Sequence, residues 1–271
     1  MAKVIALPMC SAQTAEVNLA YLRRQLALLV IEEETLVCLP ESWLAFCENA
    51  QQAWEGAHHS EQYLTELSAL CRQYGIWLAA GTIATLGVDE KYLAASYLFN
   101  SCGEIVARYN KIHLFDANIS DKTKQYRESE RTLPGQEIVV ADSPFGKIGF
   151  SVCYDLRFAS LYQAMRVLGA ELFLVPSAFT CATGAAHWQP LLQARAIENQ
   201  CYVVAAAQSG NHENGRETYG HSLIVSPWGE ILADTKTSLE PISQKIDRAL
   251  LDSIRRNMPV MDHNRFKSEF L

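Results

Sequence analysis

The segment GKIGFSVCYDLRF, residues 146–158, carries an apolar strand pattern that ends on a cysteine and passes directly into a helical pattern. The apolar residues after this segment recur at helical spacing, at Phe158, Leu161, Met165 and Leu168. A strand followed by a helix is the repeating unit of α/β folds. Cys153 stands at the junction, where it is either a small core residue at the end of the strand or a nucleophile.

The same alternation extends outward in both directions and predicts an α/β fold with strands of mixed direction. Strand patterns occur at 3–8, 35–40, 76–84, 93–99, 104–109, 137–141, 147–152, 172–176, 202–208, 221–226 and 230–233. Helical patterns occur at 19–29, 64–74, 158–168, 187–199 and about 248–256.

A faint internal repeat suggests how the strands are arranged. FNSCGEIVA (99–107) and VSPWGEILA (225–233) share a strand, a turn ending in Gly-Glu and a second strand. VCLPE (37–41) and FLVPS (173–177) both end a strand on proline. Two similar halves would give two sheets packed face to face with helices outside.

Composition narrows the class of protein. The 271 residues are 49% hydrophobic and contain no long linker, so we expect a single domain over 1–271. The net charge of −7 argues against nucleic-acid and membrane partners, because phosphate groups bind basic surfaces. Apolar runs such as LALLVI (26–31) are too short to span a bilayer. The apolar run at the N-terminus is shorter than that of a signal peptide, so we expect none. Eight cysteines without a C-x-x-C pair predict reduced core residues in a cytoplasmic protein.

Candidate catalytic residues follow three of the predicted strands, where ligands of α/β sheets gather. Glu41 follows TLVCLP, Lys111 follows EIVARYN and Cys153 follows KIGFSV. Alone, the first two would be an exposed loop glutamate and a solvated lysine, and Glu128 would be an ordinary loop residue. Together they suit thiol chemistry, in which a carboxylate takes the thiol proton and an ammonium stabilises an oxyanion. A helix beginning at Cys153 would lower the thiol pKa and leave the Tyr154 N–H free to bind an oxyanion.

Histidine offers an alternative base, and a metal site is a further alternative. His113, His187 and His221 could serve a Cys–His pair in principle, but no spacing selects one of them. Adjacent side chains diverge on a helix or a strand, so His58 and His59 are predicted to be solvated rather than metal ligands.

The motifs LPESW, RYNKIHLFD and FSVCYDLRF resemble, in this order, those of the nitrilase superfamily of carbon–nitrogen hydrolases. That resemblance implies an αββα sandwich with two mixed sheets, a Glu–Lys–Cys triad and no metal or organic cofactor. It makes Glu41 the general base and acid, Lys111 the oxyanion stabiliser, and Cys153 the nucleophile. QYRESERTLPG is similar to the segment that supplies a supporting glutamate, here Glu128. The motif departs from the common Phe-Pro-Glu continuation, because Ala159 and Ser160 follow Phe158.

Segments 177–208 and 219–232 resemble the deaminated glutathione amidases within this superfamily. The implied reaction releases 2-oxoglutarate and cysteinylglycine through a Cys thioester, a metabolite repair. The resemblance implies substrate contacts from Arg157, Phe179 and Thr183, although Arg157 could instead pair with Asp155, and Phe179 could be a core aromatic. It also implies a homodimer. An ω-amidase acting on 2-oxoglutaramate and a catalytically inactive binding module remain the alternatives. Arg195 is expected to be structural, paired with Glu198.

Overall fold

The computed structural model describes residues 2–121 and 123–266. Its α-helices are α1 (Ala15–Leu28), α2 (Ala50–Ala57), α3 (Ser60–Tyr74), α4 (Ala159–Val167), α5 (Cys181–Thr183), α6 (Gln189–Asn199), α7 (Arg248–Asn257) and α8 (Val260–His263). Short 3₁₀ turns occupy Glu128–Glu130 and Cys153–Arg157, and a π turn at Gly184–Trp188 joins α5 to α6. No helix within these described ranges has the combined length and apolar content needed to cross a bilayer.

Seven strands form the first sheet. They are β1 (Ala2–Ala6), β2 (Thr35–Cys38), β3 (Trp77–Ala79), β4 (Ile83–Leu86), β5 (Tyr92–Phe99), β6 (Ile105–Asn110) and β17 (Ile242–Ile246). The order is β17-β1-β2-β3-β5, with β4 and β6 also paired to β5. Strands β1, β2 and β3 are parallel, and the remaining pairs are antiparallel.

Six strands form the second sheet, and two short hairpins lie outside both sheets. The second sheet has the order β16 (Ile231–Asp234), β15 (Leu223–Val225), β12 (Tyr202–Ala205), β11 (Leu172–Leu174), β10 (Ile148–Phe150) and β9 (Val140–Ala141). The hairpins are β7 (Asp116–Asn118) with β8 (Gln125–Arg127), and β13 (Ser209–Asn211) with β14 (Glu217–Tyr219).

Alternating side chains of the first sheet enter two different cores. Val4 and Leu36 belong to the core that also contains Phe150 and Leu174 of the second sheet. Their neighbours along the strands point the other way, toward helices α1 and α3. This second core contains Ile5, Val37 and Leu78 of the strands, with Leu22 of α1 and Leu67 of α3. Because strand side chains alternate between faces, one layer of the core lies between the sheets and another under the helices. The predicted αββα sandwich is confirmed.

The predicted strand at 76–84 is wrong in one respect, because it is two strands with a break between them. Gly81 lies in the break with a φ of +40°, and a Cβ there would lie 1.9 Å from the Pro40 carbonyl oxygen. Glycine is therefore required for this loop to approach the chain that ends β2. The neighbouring Thr82 hydroxyl accepts a hydrogen bond from the Ser42 N–H at 2.7 Å. This contact supports the segment that carries Glu41.

Candidate active site

The ends of three strands bring Glu41, Lys111 and Cys153 into one buried cluster. Glu41 follows β2 and Lys111 follows β6 in the first sheet, whereas Cys153 follows β10 in the second. Lys111 Nζ donates to Glu41 Oε1 at 2.8 Å. Both charged groups lie close enough to the Cys153 sulfur to shift its pKa. The face-to-face packing of the sheets therefore joins residues that are distant in sequence.

The Lys111 ammonium is held between two carboxylates. Its Nζ donates to both Glu128 oxygens, at 2.9 and 2.8 Å, in addition to Glu41. Although the burial of the 2%-exposed Lys111 opposes its charge, the Glu128 and Glu41 carboxylates raise its pKa well above the ordinary value. Glu128 Oε2 also accepts the Phe115 N–H at 2.6 Å, while burial raises the Glu128 pKa. Lys111 is thus a fixed positive charge at neutral pH.

Cys153 has a strained backbone at the start of a 3₁₀ turn. Its φ is +47°, a left-handed conformation that is uncommon outside glycine, and its N–H donates to the Pro176 carbonyl at 3.0 Å. Such conformations cluster at functional sites because the surrounding structure must hold them. Tyr154 is the second residue of this turn, so its N–H has no acceptor within the turn.

The expectation that a helix lowers the Cys153 pKa is wrong. Burial, reinforced by the Glu41 carboxylate, raises the thiol pKa well above its usual range. The turn spans only Cys153–Arg157, so few peptide dipoles align toward the sulfur. The resting residue is therefore a neutral thiol, and its proton leaves only when an acceptor takes it.

Alkylation of Cys153 tests this protonation state. Because its pKa is raised, the labelling rate of Cys153 with iodoacetamide should still be rising at pH values where the rate for an ordinary thiol has levelled off. Peptide mass mapping after timed quenching gives the rate at this residue. The same peptide in the urea-unfolded chain is the control, and its rate should level off above the ordinary thiol pKa of about 8.5. A plateau near pH 6 in the folded protein would show that the thiol is already ionised.

Glu41 is fixed by backbone contacts on both sides. Its side-chain Oε2 accepts a hydrogen bond from the Ala178 N–H at 2.9 Å, and its backbone carbonyl accepts one from the Gln208 side-chain Nε2 at 3.0 Å. The carboxylate also interacts directly with the Cys153 thiol. Glu41 therefore contacts both the group that would lose a proton and the ammonium, a geometry suited to general base catalysis.

Asp155 links the Lys111 segment to the Cys153 turn, a role that the sequence did not reveal. It is fully buried and accepts the Tyr109 hydroxyl at 2.7 Å and the Val152 N–H at 2.8 Å. It also accepts the His113 N–H at 2.9 Å. The possible pairing of Asp155 with Arg157 is thus replaced by contacts that bridge the two sheets.

The candidate histidines have other partners. His113 Nδ1 lies 2.7 Å from Asp155 Oδ1, His187 Nδ1 lies 3.2 Å from Arg157 Nη1, and His221 Nδ1 lies 3.1 Å from Asp234 Oδ1. These contacts favour Glu41 as the base over a Cys–His pair. His58 and His59 are exposed, and no group of three or more potential metal ligands occurs in the part of the chain that the structure describes.

The three predicted substrate-binding residues line one small cavity of about 20 Å³ with Cys153. The Arg157 guanidinium lies over the rings of Tyr154 and Phe179, 5.8 and 5.4 Å from their centroids. Thr183 is buried, and its hydroxyl lies 2.9 Å from that of Thr180. Arg157 is the cationic group on this side of the sulfur.

A larger cavity of about 380 Å³ opens on another side of the same cluster. It is lined by Cys153, Glu41, Lys111 and Glu128, and by residues of the β7–β8 hairpin and the α2 start. Neither that hairpin nor helix α2 was predicted, because both are short. Their position makes the site a cavity rather than an open groove.

Arg195 is structural, as expected. It donates to Glu198 at 2.9 Å, and its other nitrogens donate to the Leu156 carbonyl at 3.0 and 2.8 Å. Through Leu156 it supports the end of the Cys153 turn. The cysteines match the prediction only in part: Cys38, Cys71, Cys153 and Cys201 are buried, whereas Cys10, Cys102 and Cys181 are exposed.

Comparisons with known proteins identify the family of this chain. The carbon–nitrogen hydrolase family model matches residues 15–256, a range that includes every residue of the cluster. Deaminated glutathione amidase of Yersinia enterocolitica is 42% identical, with 100% of this chain and 95% of that protein covered. The Dictyostelium discoideum protein of the same name is 39% identical, covering 95% and 92%. The crystal structure of Caenorhabditis elegans NitFhit superposes with a TM-score of 0.90 at 36% identity, covering 98% of this chain and 66% of that one.

Proposed function

We propose a function on the premise that the chain belongs to the carbon–nitrogen hydrolase family, and is thus a hydrolase of carbon–nitrogen bonds other than peptide bonds. In this proposal it is an amidase that cleaves deaminated glutathione to 2-oxoglutarate and cysteinylglycine through a thioester on Cys153. The observation that carries the proposal is the buried cluster in which Lys111 bridges Glu41 and Glu128 beside the Cys153 thiol. Relatives named for this activity supply the substrate.

Acylation begins with transfer of the Cys153 proton to Glu41. The sulfur attacks the amide carbon, and the carbonyl π electrons move to its oxygen. The Lys111 ammonium and the Tyr154 N–H stabilise this oxyanion, and Glu128 keeps Lys111 in place. The tetrahedral intermediate then collapses, the carbon–nitrogen bond breaks, and Glu41 returns the proton to the leaving nitrogen.

Deacylation repeats these roles with water as the nucleophile. Glu41 takes a proton from water, and the resulting hydroxide attacks the thioester carbon. The oxyanion uses the same two donors, after which the carbon–sulfur bond breaks and the sulfur is reprotonated. The products are a carboxylic acid and the original thiol, so the atoms balance without an oxidant or a cofactor.

The residues of the small cavity offer a contact for the terminal carboxylate of the acyl half of the substrate. Arg157 offers a planar guanidinium that can bind a carboxylate in bidentate fashion, with Phe179 and Thr183 beside it. A 2-oxoglutaryl group carries such a carboxylate at the end away from the amide. Since 2-oxoglutaramate has the same acyl group, this cavity alone does not separate an amidase for deaminated glutathione from an ω-amidase.

We further propose that the chain is a single domain, forms a homodimer and is located in the cytoplasm. A single hydrolase domain over 1–271 is supported by the family match to 15–256. Exposed apolar residues on and beside α6, Ile197, Trp228 and Ile231, support a homodimer through this face. A reduced set of free thiols supports a cytoplasmic location.

A substrate panel tests the function. Purified protein should hydrolyse deaminated glutathione with a higher kcat/KM than 2-oxoglutaramate, with 2-oxoglutarate detected by a coupled dehydrogenase assay. Preference for 2-oxoglutaramate would make it an ω-amidase. If neither compound is cleaved and neither acylates Cys153, the proposed activity is wrong and a binding module of the same fold is favoured.

A further inference from the structure

Arg216 is a cation in the large cavity to which neither the sequence nor the proposed mechanism assigns a role. It lines the same 380 Å³ space as Cys153 and Lys111. Arg157 lines the small cavity instead. Arg127 also lines the large cavity, but its guanidinium already donates to the Tyr126 carbonyl at 2.6 Å and to Asn118 Oδ1 at 3.0 Å. Both cavities that Cys153 lines therefore contain an arginine, in a protein whose net charge is −7.

Aromatic rings hold the Arg216 guanidinium in place. Its centre lies 4.7 Å from the Phe46 ring centroid and 5.5 Å from that of Tyr126. Stacked rings cover the flat faces of a guanidinium and leave the N–H groups at its edge for hydrogen bonds. Arg216 is half-buried and lines the cavity.

The backbone around Arg216 is also fixed to the cavity wall. Its N–H donates to Asn214 Oδ1 at 3.0 Å, and Asn214 Nδ2 donates to the carbonyls of Phe46 and Cys47 at 3.2 and 2.9 Å. The His212 ring stacks on Phe46 at 4.0 Å. These contacts dock the turn between β13 and β14 on the loop that follows Glu41, so the guanidinium is held in position before a ligand arrives.

Carboxylates near Arg216 are already engaged or exposed. Among residues 2–121 and 123–266, no carboxylate forms an ion pair with Arg216, and no side-chain hydrogen bond from it occurs. Of the acids lining the cavity, Glu41 and Glu128 bind Lys111, and Glu48 is exposed. A guanidinium that lies over two aromatic rings in the cavity of the nucleophile, without an acid of its own, suits an anionic group of the substrate.

Building on the proposed function, we propose that Arg216 binds the terminal carboxylate of the cysteinylglycine leaving group. This carboxylate lies two residues from the scissile amide, a span of at most about 7 Å. The cavity volume falls within the range of about 300–1,000 Å³ typical of small-molecule sites. Arg157 and Arg216 then bind opposite ends of a dianionic substrate, and the amide between them is placed at Cys153. Ammonia, the leaving group of 2-oxoglutaramate, would make no use of Arg216.

Kinetics of Arg216→Met on two substrates test this assignment. With deaminated glutathione, KM should rise and kcat/KM should fall about 10- to 100-fold while kcat changes little, because the contact exists before and during the chemical step. For 2-oxoglutaramate, kcat/KM should change less than about twofold, because ammonia makes no contact with Arg216. Arg216→Lys should recover only part of the loss, because an ammonium cannot form a bidentate pair.

A matched variant and a modified substrate complete the design. Arg108 also stacks on a tyrosine, with its guanidinium 5.6 Å from the Tyr97 centroid, but does not line this cavity, so Arg108→Met should leave both activities unchanged. Amidation of the terminal carboxylate of deaminated glutathione should lower kcat/KM for the wild-type enzyme and leave kcat/KM for Arg216→Met unchanged. Equal losses on both substrates, or full activity of Arg216→Met on deaminated glutathione, would overturn the assignment alone. A wild type inactive on deaminated glutathione would instead overturn the proposed function and, with it, this assignment.

Discussion

Replacing Cys153 with alanine is expected to abolish amide hydrolysis, with kcat reduced at least about 10,000-fold. Glu41, Glu128 and Lys111 carry no sulfur, so Cys153 is the member of this cluster that can form the thioester. Loss of a nucleophile in covalent catalysis costs rate factors of this order or larger. The measurement is single-turnover and steady-state release of 2-oxoglutarate from deaminated glutathione.

Two controls keep the Cys153→Ala result specific. Cys102→Ala removes an exposed thiol and should retain wild-type kcat. The melting temperature of Cys153→Ala should stay within a few degrees of wild type, because only a small buried thiol is lost and a left-handed alanine replaces a left-handed cysteine. Retention of more than a few per cent of activity in Cys153→Ala would show that another group is the nucleophile.

Replacing Lys111 with methionine is expected to damage both stability and catalysis. The ammonium neutralises two buried carboxylates, and removing one partner of a buried ion pair typically costs about 3–5 kcal/mol. Loss of an oxyanion donor lowers kcat about 100- to 1,000-fold. Urea unfolding and steady-state kinetics measure the two effects. Lys147→Met is the control, because Lys147 pairs with Asp142 at the surface and should contribute less than about 0.5 kcal/mol.

The stability deficit of Lys111→Met should depend on pH. Burial already raises the Glu128 pKa in the wild type, and without the ammonium the lowering influence of Lys111 is lost. A carboxyl whose folded pKa exceeds its unfolded pKa destabilises the folded state as pH rises, so the deficit should shrink between about pH 8 and pH 5. Adding Glu128→Gln should restore part of the stability but not the activity. A pH-independent deficit, or a stable and active Lys111→Met, would contradict this role for the ammonium.

The catalytic residues at strand ends could be predicted because a buried strand and the polar residue that follows it are adjacent in the sequence. An apolar run such as TLVCLP identifies a buried strand, and the first polar residue after it lies at the sheet edge where ligands gather. The similar hairpins at 99–107 and 225–233 are present as β5–β6 and β15–β16, one in each sheet. Two related halves packed face to face are what bring the end of β2 close to the end of β10.

Other parts of the site depend on contacts between segments far apart in sequence. The left-handed backbone of Cys153 is imposed by its surroundings, including the Pro176 carbonyl, and no residue pattern encodes it. Burial raises the pKa of the Cys153 thiol, whereas the helix expected from the sequence would have lowered it. Asp155 had a plausible local partner in Arg157 but accepts hydrogen bonds from Tyr109 in strand β6 of the other sheet and from the His113 N–H, which follows that strand. No sequence pattern indicated a role for Arg216, since its aromatic neighbours come from the loop after Glu41 and from strand β8, both far away in sequence.

The thioester on Cys153 is tested most directly by rapid-quench mass spectrometry of the enzyme during turnover. Mixing the protein with deaminated glutathione and quenching in acid within milliseconds should yield a protein species heavier by one 2-oxoglutaryl group, mapped to Cys153 by peptide fragmentation. The species should form before 2-oxoglutarate release, and should be absent from Cys153→Ala and strongly reduced in Glu41→Gln and Lys111→Met. Turnover without an adduct on Cys153, or an adduct on another residue, would contradict a thioester made by these three side chains.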